Sequence, residues 1–344
     1  MNPARLKTFA DFRDARLNGE TVSAQIERVL GDLEAKGRCL NAVTEVLSVR
    51  ALQRAGELDC RLAAGEEVGP LAGIPFGVKN LFDVTGYRTL AGSKIEGDAA
   101  VAIEDANAVQ WLENAGAILC CTQHMDEYAY GFTTENAHYG DCRNPLNDAH
   151  LAGGSSGGSA ACVGAGLLPL SLGTDTNGSI RVPSSFCGIF GLKPTHGGVS
   201  RAGAFLFVDT IDCIGPFART VSDLALAYEA LLGTDHRDPA LVNRAVKSTQ
   251  AEASPDKRRV GILCGYFESD RSEIAAAVTR VAEGLGEVAA ANFPEPAAAR
   301  SAAFVVSAAE GGRRHLKRLQ RRYHDFDPAV APRLAAGACL PSAW

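Results

Sequence analysis

Short apolar strands alternate with amphipathic helices through the middle of this 344-residue chain, and that alternation predicts an α/β protein. The composition agrees with a packed core: 46% of the residues are hydrophobic and 22% charged. Glycine is over-represented at 36 residues, and thirteen of them fall between positions 140 and 198. That stretch therefore needs backbone that side chains would obstruct. Collagen, coiled coil and disorder are excluded on the same figures.

The first 65 residues read as helical. Residues 23–36 place Ile26, Val29, Leu30 and Leu33 on one face at three- and four-residue spacing, and residues 46–62 form a second run rich in Ala, Leu, Arg and Glu. From Gly69 the texture changes to strands at 73–78 and 117–121, with a helical period at 105–115 between them. Residues 167–172 and 259–264 read as further buried strands. Residues 220–232 and 273–285 read as covering helices, the first capped from among Thr220, Ser222 and Asp223. Residues 248–257 are polar and aperiodic, as a linker is. With no internal repeat, residues 1–344 read as one domain.

Thirty-four basic against 40 acidic residues leave a formal charge of -6, too little of either sign to call for nucleic acid or an anionic membrane. No run of 18 uncharged apolar residues occurs, so no membrane span is expected. The ten cysteines sit mostly in apolar runs (Cys120, Cys121, Cys162, Cys187, Cys264), as buried free thiols do, and a reducing cytoplasm is the expected compartment. Cys121, His124, His138 and Cys142 make the nearest approach to a zinc pattern. It reads as chance, because the segment fits a metal-free motif, and neither metal nor cofactor is expected.

Chemistry concentrates in three places. Gly153-Gly-Ser-Ser-Gly-Gly-Ser159 runs into small residues up to Gly166, which suits a helix packed closely on a sheet with free amides at its start. Gly173-Thr-Asp-Thr-Asn-Gly-Ser-Ile-Arg-Val-Pro183 reads as a strand end and a turn presenting Ser179, where Asn177 and Gly178 both tolerate left-handed backbone. Successive amides in such a turn can converge on an anion. Lys79 ends the apolar strand in Pro75-Phe-Gly-Val-Lys-Asn80, and whether it faces inward is left open by the sequence.

Together these segments resemble the amidase signature family, over residues 22–341. The resemblance implies a central mixed sheet with helices on both faces, and a hydrolase of linear amides. It also implies a triad of Lys79 as base, Ser155 as the serine after a cis peptide bond, and Ser179, 24 residues later, as nucleophile. The oxyanion hole would be the amides of Thr176, Asn177, Gly178 and Ser179; many relatives carry Gly where Asn177 stands. The physical chemistry is consistent. A serine hydroxyl needs a base, and a buried lysine can serve once desolvation pulls its pKa down from about 10.4.

Within the family, Met125-Asp-Glu-Tyr-Ala-Tyr-Gly-Phe-Thr-Thr-Glu-Asn-Ala-His-Tyr-Gly140 and Arg201-Ala-Gly-Ala-Phe205 resemble the 1-carboxybiuret hydrolase branch. The amidase subunit of glutamyl-tRNA amidotransferase, which releases ammonia from glutamine for a charged tRNA, is the competitor. Tyr130, Gly131 and Thr133 are the implied substrate wall for a small polar amide, and Phe132 reads equally well as core. Both branches pair the amidase with a small helical subunit, so a partner is expected here. The resemblance is still running at Phe326-Asp-Pro-Ala-Val330 and Leu340-Pro-Ser-Ala-Trp344, so the working enzyme is expected to be longer, with apolar surface left bare.

Rival readings are weaker. Gly153-Gly-Ser-Ser-Gly157 also satisfies a nucleophile elbow, but that needs a strand directly before it, where residues 143–150 read as polar and turn-like. The glycines lack a following Gly-Lys-Ser/Thr for phosphate binding. A non-catalytic scaffold that kept the fold is the alternative of another class.

Overall fold

Thr8 opens the first helix, α1 (Phe9–Leu17): its hydroxyl accepts from the Asp11 amide while the Asp11 carboxylate accepts from the Thr8 amide. In α2 (Val22–Asp32), Ile26, Val29 and Leu30 are buried as the periodicity predicts, and Leu33, the fourth residue of that face, is buried in the π-helical turn Leu33–Gly37 that follows. The helix expected at 46–62 begins later, because Val46 closes a strand, β1 (Val43–Val46), and the helix α3 occupies Ser48–Ala63. Four residues reading Val-Thr-Glu-Val carry too little alternation to announce a strand, so the first 65 residues are not wholly helical. The structure is a computed structural model that describes residues 7–242 and 258–341; the linker expected at 248–257 lies outside the described residues.

The remaining elements follow the predicted alternation. They are β2 (Pro75–Lys79), α4 (Asn107–Asn114), β3 (Ile118–Gln123), the short hairpin of β4 (Arg143–Asn144) and β5 (Asn147–Leu151), α5 (Gly157–Gly164) and β6 (Leu170–Asp175). After these come α6 (Arg181–Cys187), β7 (Phe190–Gly191), β8 (Cys213–Ala218) and α7 (Val221–Ala230), capped by Thr220 accepting from the Asp223 amide. Residues 143–150, expected to be turn-like, thus form a ribbon. Among the described residues it pairs only with itself and stands outside the main sheet, so it does not supply a nucleophile elbow's strand.

The six-stranded sheet runs β1-β3-β2-β6-β8-β7 and is mixed. β2 pairs parallel with β3 and with β6, whereas β1, β8 and β7 run antiparallel to their neighbours. Strands β2, β3, β6 and β8 are buried throughout; β2 and β3 stand where apolar strands are expected, β6 begins three residues after the start of the run expected at 167–172, and β8 had no sequence signal. Helix α5 packs against this sheet through Gly158, where an added Cβ would lie 2.4 Å from the Ala42 carbonyl oxygen and the His124 nitrogen. Only glycine allows that approach.

The chain divides into two compact units, one of Met1–Thr249 with Ala308–Trp344 and one of Gln250–Ser307. The second unit holds β9 (Arg258–Leu263), α8 (Ser272–Leu285) and β10 (Gly286–Ala291), a parallel pair joined by its crossover helix, and the start of α9 (Pro296–Arg322). Its strands are not the buried ones expected at 259–264: among the described residues β9 and β10 have only each other as partners, and Leu263 and Val288 stay exposed. Val278, Val281 and Leu285 of α8 are exposed too. The last helix, α10 (Ala331–Ala338), belongs to the first unit. Among the described residues no helix is long and apolar enough to cross a membrane.

Candidate active site

One end of the main sheet gathers the chemistry. Lys79 and Asp175 end the parallel strands β2 and β6, and Cys213 begins the antiparallel β8 opposite Asp175. Ligand sites commonly form beyond such carboxyl ends. Lys79 faces inward, with no exposed surface, and its Nζ donates to Ser155 Oγ (2.7 Å) and Thr174 Oγ1 (2.9 Å). Burial drives its pKa down to about 7, although Asp126, Asp212 and Asp175 pull it back upward. A lysine in that state is neutral often enough to take a proton.

Ser155 sits on the approach to α5, and the Gly154–Ser155 peptide is cis. The loop around it is tied on both sides. Thr134 Oγ1 donates to the Gly153 carbonyl (3.0 Å) and accepts from the Gly157 amide (3.1 Å), while the Ser156 hydroxyl donates to the Thr174 carbonyl (3.2 Å). Both sides of the loop are thus anchored in segments far away in sequence.

Ser179 lies in the turn between β6 and α6 and is 3% exposed. Of the two residues before it, only Gly178 takes a positive φ (146°); Asn177 does not need the left-handed conformation that it could tolerate. Asp175 braces the turn by accepting from the amides of Ile180 (3.1 Å) and Arg181 (3.3 Å) and from the Arg181 guanidinium (2.8 and 3.0 Å). Burial raises the Asp175 pKa, but these bonds outweigh it and hold the carboxylate below its ordinary range. Thr176 Oγ1 donates to Asp212 (2.5 Å) from the same turn.

Phe132, in the strip from Tyr130 to Thr133, borders this turn. The Phe132 ring, half-buried, lies 3.4 Å from where a Cβ on Gly178 would be. Tyr130 is buried under the Phe207 ring (centroids 4.6 Å apart) and under the Arg333 guanidinium, 3.8 Å from the Tyr130 ring centre. Arg333 also donates to the Tyr130 carbonyl (2.9 Å). Lys79 and Ser155 are therefore in contact and the Ser179 turn stands at the same sheet end, while Gly131 lies against Asp126 and the Thr133 amide lies against Gly154.

Three neighbours escaped sequence reasoning. Thr174 lies inside the Gly-Thr-Asp motif, and its place in β6 beside the end of β2 is the signal that could have found it. Asp126 stands in the Met125-Asp-Glu stretch that carries the resemblance, which is the signal that could have found it, whereas Arg333 had none, since it meets a residue 203 positions away. Of the zinc-like set, His124 Nε2 bonds the Gly140 carbonyl (2.7 Å) and His138 Nε2 donates to Glu127 (3.0 Å).

The amidase family model matches residues 24–335. The chain is 46% identical over 331 residues to AtzE, a component of the 1-carboxybiuret hydrolase of Pseudomonas sp. (strain ADP), covering 95% of this chain and 72% of that protein. It is 37% identical over 297 residues to a component of the glutamyl-tRNA(Gln) amidotransferase of Koribacter versatilis, covering 84% of this chain and 62% of that one. A solved structure described as a vestigial protein complex revealing the evolutionary origins of an s-triazine catabolic enzyme superposes with a TM-score of 0.93 at 43% identity, over 98% of this chain and 75% of that one. A bacterial aryl acylamidase superposes with a TM-score of 0.88 at 29% identity, over 99% and 74%.

Proposed function

The chain belongs to the amidase family and is a hydrolase of the amidase class, and from that premise we propose that Lys79, Ser155 and Ser179 are its reacting set, acting on a small polar amide of the 1-carboxybiuret kind. The observation that carries this reading is the fully buried Lys79 amine in hydrogen-bond contact with Ser155, with its pKa brought to about 7.

In the neutral amine the contact reverses: Nζ donates to Thr174 and accepts from the Ser155 hydroxyl. Ser179 Oγ attacks the amide carbon, its proton moves to Ser155 Oγ, and the Ser155 proton moves to Lys79. The amides of Thr176, Asn177, Gly178 and Ser179 receive the oxyanion. As the carbon–nitrogen bond breaks, the proton returns along the same path to the leaving nitrogen, which departs as ammonia, and water then releases the acyl group from Ser179. Tyr130, Gly131 and Thr133 form the wall. Arg333, held over Tyr130, adds a cation that suits a carboxylate-bearing substrate.

The resemblance to components of larger assemblies supports a small helical partner, and the buried thiols Cys120, Cys121, Cys142, Cys162 and Cys187 suit a reducing cytoplasm. Glutamine hydrolysis within a tRNA amidotransferase is the second reading, favoured by the 37% identity to a component of one. Ammonia release from 1-carboxybiuret, measured beside release from glutamine with charged tRNA, decides between them: we expect the first to dominate. Glutamine turnover alone would transfer the assignment to the second reading. No turnover of either, and no labelling of Ser179 by a fluorophosphonate, would leave a scaffold.

A further inference from the structure

Next to Lys79 and Ser155 stands a buried carboxylate that the mechanism above leaves unused. Asp126 is 4% exposed and follows β3 at the same end of the sheet. Its amide donates to the Ser155 carbonyl (3.3 Å), and its Oδ2 accepts from the Thr134 amide (3.0 Å). Thr134 is the residue whose hydroxyl bridges Gly153 and Gly157. Two glycines make room for the carboxylate: a Cβ on Gly131 would lie 2.1 Å from Oδ1, and one on Gly154 would lie 2.1 Å from Oδ2. Those distances are far inside van der Waals contact, so the carboxylate rests directly on the backbone that leads into Ser155.

We propose that Asp126 is a positioning residue, whose carboxylate, seated between Gly131 and Gly154, clamps the Ser155 loop and presents a negative charge to the Lys79 amine. This rests on the reading of Lys79, Ser155 and Ser179 as the reacting set.

Three carboxylates face Lys79, and they differ in how far their charge is already answered. Asp175 is bound by the Arg181 guanidinium and two amides. Asp212 accepts from Thr176 Oγ1 and from the Phe207 and Val208 amides. Asp126 has Thr134 as its hydrogen-bond donor, with Lys79 and Arg333 as the cations that face it. It has the fewest hydrogen-bond donors of the three. Burial raises its pKa to about 6, so it is mostly ionised where Lys79 works. A fully buried amine with no anion to face it would hold a proton too weakly to draw one from a serine; the Asp126 charge, which pulls the Lys79 pKa upward, corrects that.

The test is the rate of fluorophosphonate labelling against pH, which needs no identified substrate. The wild type should label at Ser179, with an acidic limb near pH 7, and Ser179→Ala should not label. In Asp126→Asn we expect the limb to move down by about one pH unit, since the anion that favours the ammonium is gone, and the plateau rate to fall about tenfold as the loop loosens. Gly131→Ala, which unseats the carboxylate but keeps the charge in the chain, should lower the plateau as well, and it decides the matter if Asp126→Asn does not fold. A folded Asp126→Asn with wild-type limb and plateau overturns the proposal while the reacting set stands. So does Gly131→Ala with a wild-type plateau. If the wild type does not label, or Ser179→Ala labels as it does, the reacting set itself falls.

Discussion

Two cations in this protein, one half-buried and one fully buried, have opposite fates. Arg50, on α3, is gripped by Asp105 (2.6 and 3.0 Å) and Glu113 (2.7 and 3.2 Å). Burial opposes its charge, yet those hydrogen bonds raise its pKa above the ordinary arginine value. Lys79, on β2, is more deeply buried and its amine hydrogen-bonds the hydroxyls of Ser155 and Thr174, so burial prevails and its pKa drops to about 7. Direct contact with carboxylates locks a cation, whereas hydroxyl contact with carboxylates held further back leaves a group that can trade protons. His315 marks the far end of this series. It is fully buried against Tyr128 (centroids 4.0 Å), and neither ring nitrogen has a hydrogen-bond partner among the described residues. Burial, then Arg318 and Arg314, bring its pKa down to about 3.

The largest effect is expected from breaking the mobile-proton end of the comparison. Lys79→Ala should lower amide turnover by about three orders of magnitude or more, and non-additively with Ser155→Ala and Ser179→Ala, because the three act as one relay. Lys79→Arg should not restore it, since a guanidinium does not release its proton. Wild-type activity should fall about tenfold per pH unit below pH 7, as the neutral amine disappears. A pH-independent rate between pH 5 and about 8 would break the contrast with Arg50.

Removing the locked cation should cost stability and spare chemistry. Arg50→Ala leaves Asp105 and Glu113 facing each other without a counter-charge, and a loss of about 2 kcal/mol is expected in a denaturant titration, less than a fully buried pair would lose because all three groups retain some solvent. Turnover per folded molecule should be unchanged.

His315→Phe should stabilise the protein by about 1 kcal/mol at pH 7, by removing polar atoms that lack partners. It should also weaken the acid limb. The folded pKa lies below the ordinary histidine value of 6.5, so stability is complete above pH 6.5 and is lost as pH falls toward 3, by about 1.4 kcal/mol per unit. Comparing melts of the two proteins at pH 7 and pH 5 reads both effects. The smallest change is expected at the exposed pair Arg38–Glu34 on the surface, where Arg38→Ala should cost only about 0.3 kcal/mol.

Much of this was legible in the residues alone. The glycine-rich run had to be a close-packed helix start, since only glycine tolerates a neighbour's backbone at that range, and α5 is that helix. Apolar residues announced strands at β2 and β3 and a buried strand at 167–172, which begins three residues later as β6, and the Gly173–Pro183 motif marked the turn that holds Ser179. These are local statements, carried by residue type and spacing. Tertiary structure decided the rest. Whether Lys79 points into the protein depends on how β2 is covered, and whether its ammonium survives there depends on Thr174, Ser155 and three carboxylates from other segments. An apolar pattern promised burial for β9 that a two-stranded pair does not provide. Arg333 reaches Tyr130, and Asp126 reaches Gly154, only because the chain folds back on itself. Electric fields and van der Waals exclusion act through space, so the charge on Lys79 and the seat of Asp126 belong to the folded molecule rather than to any stretch of its sequence.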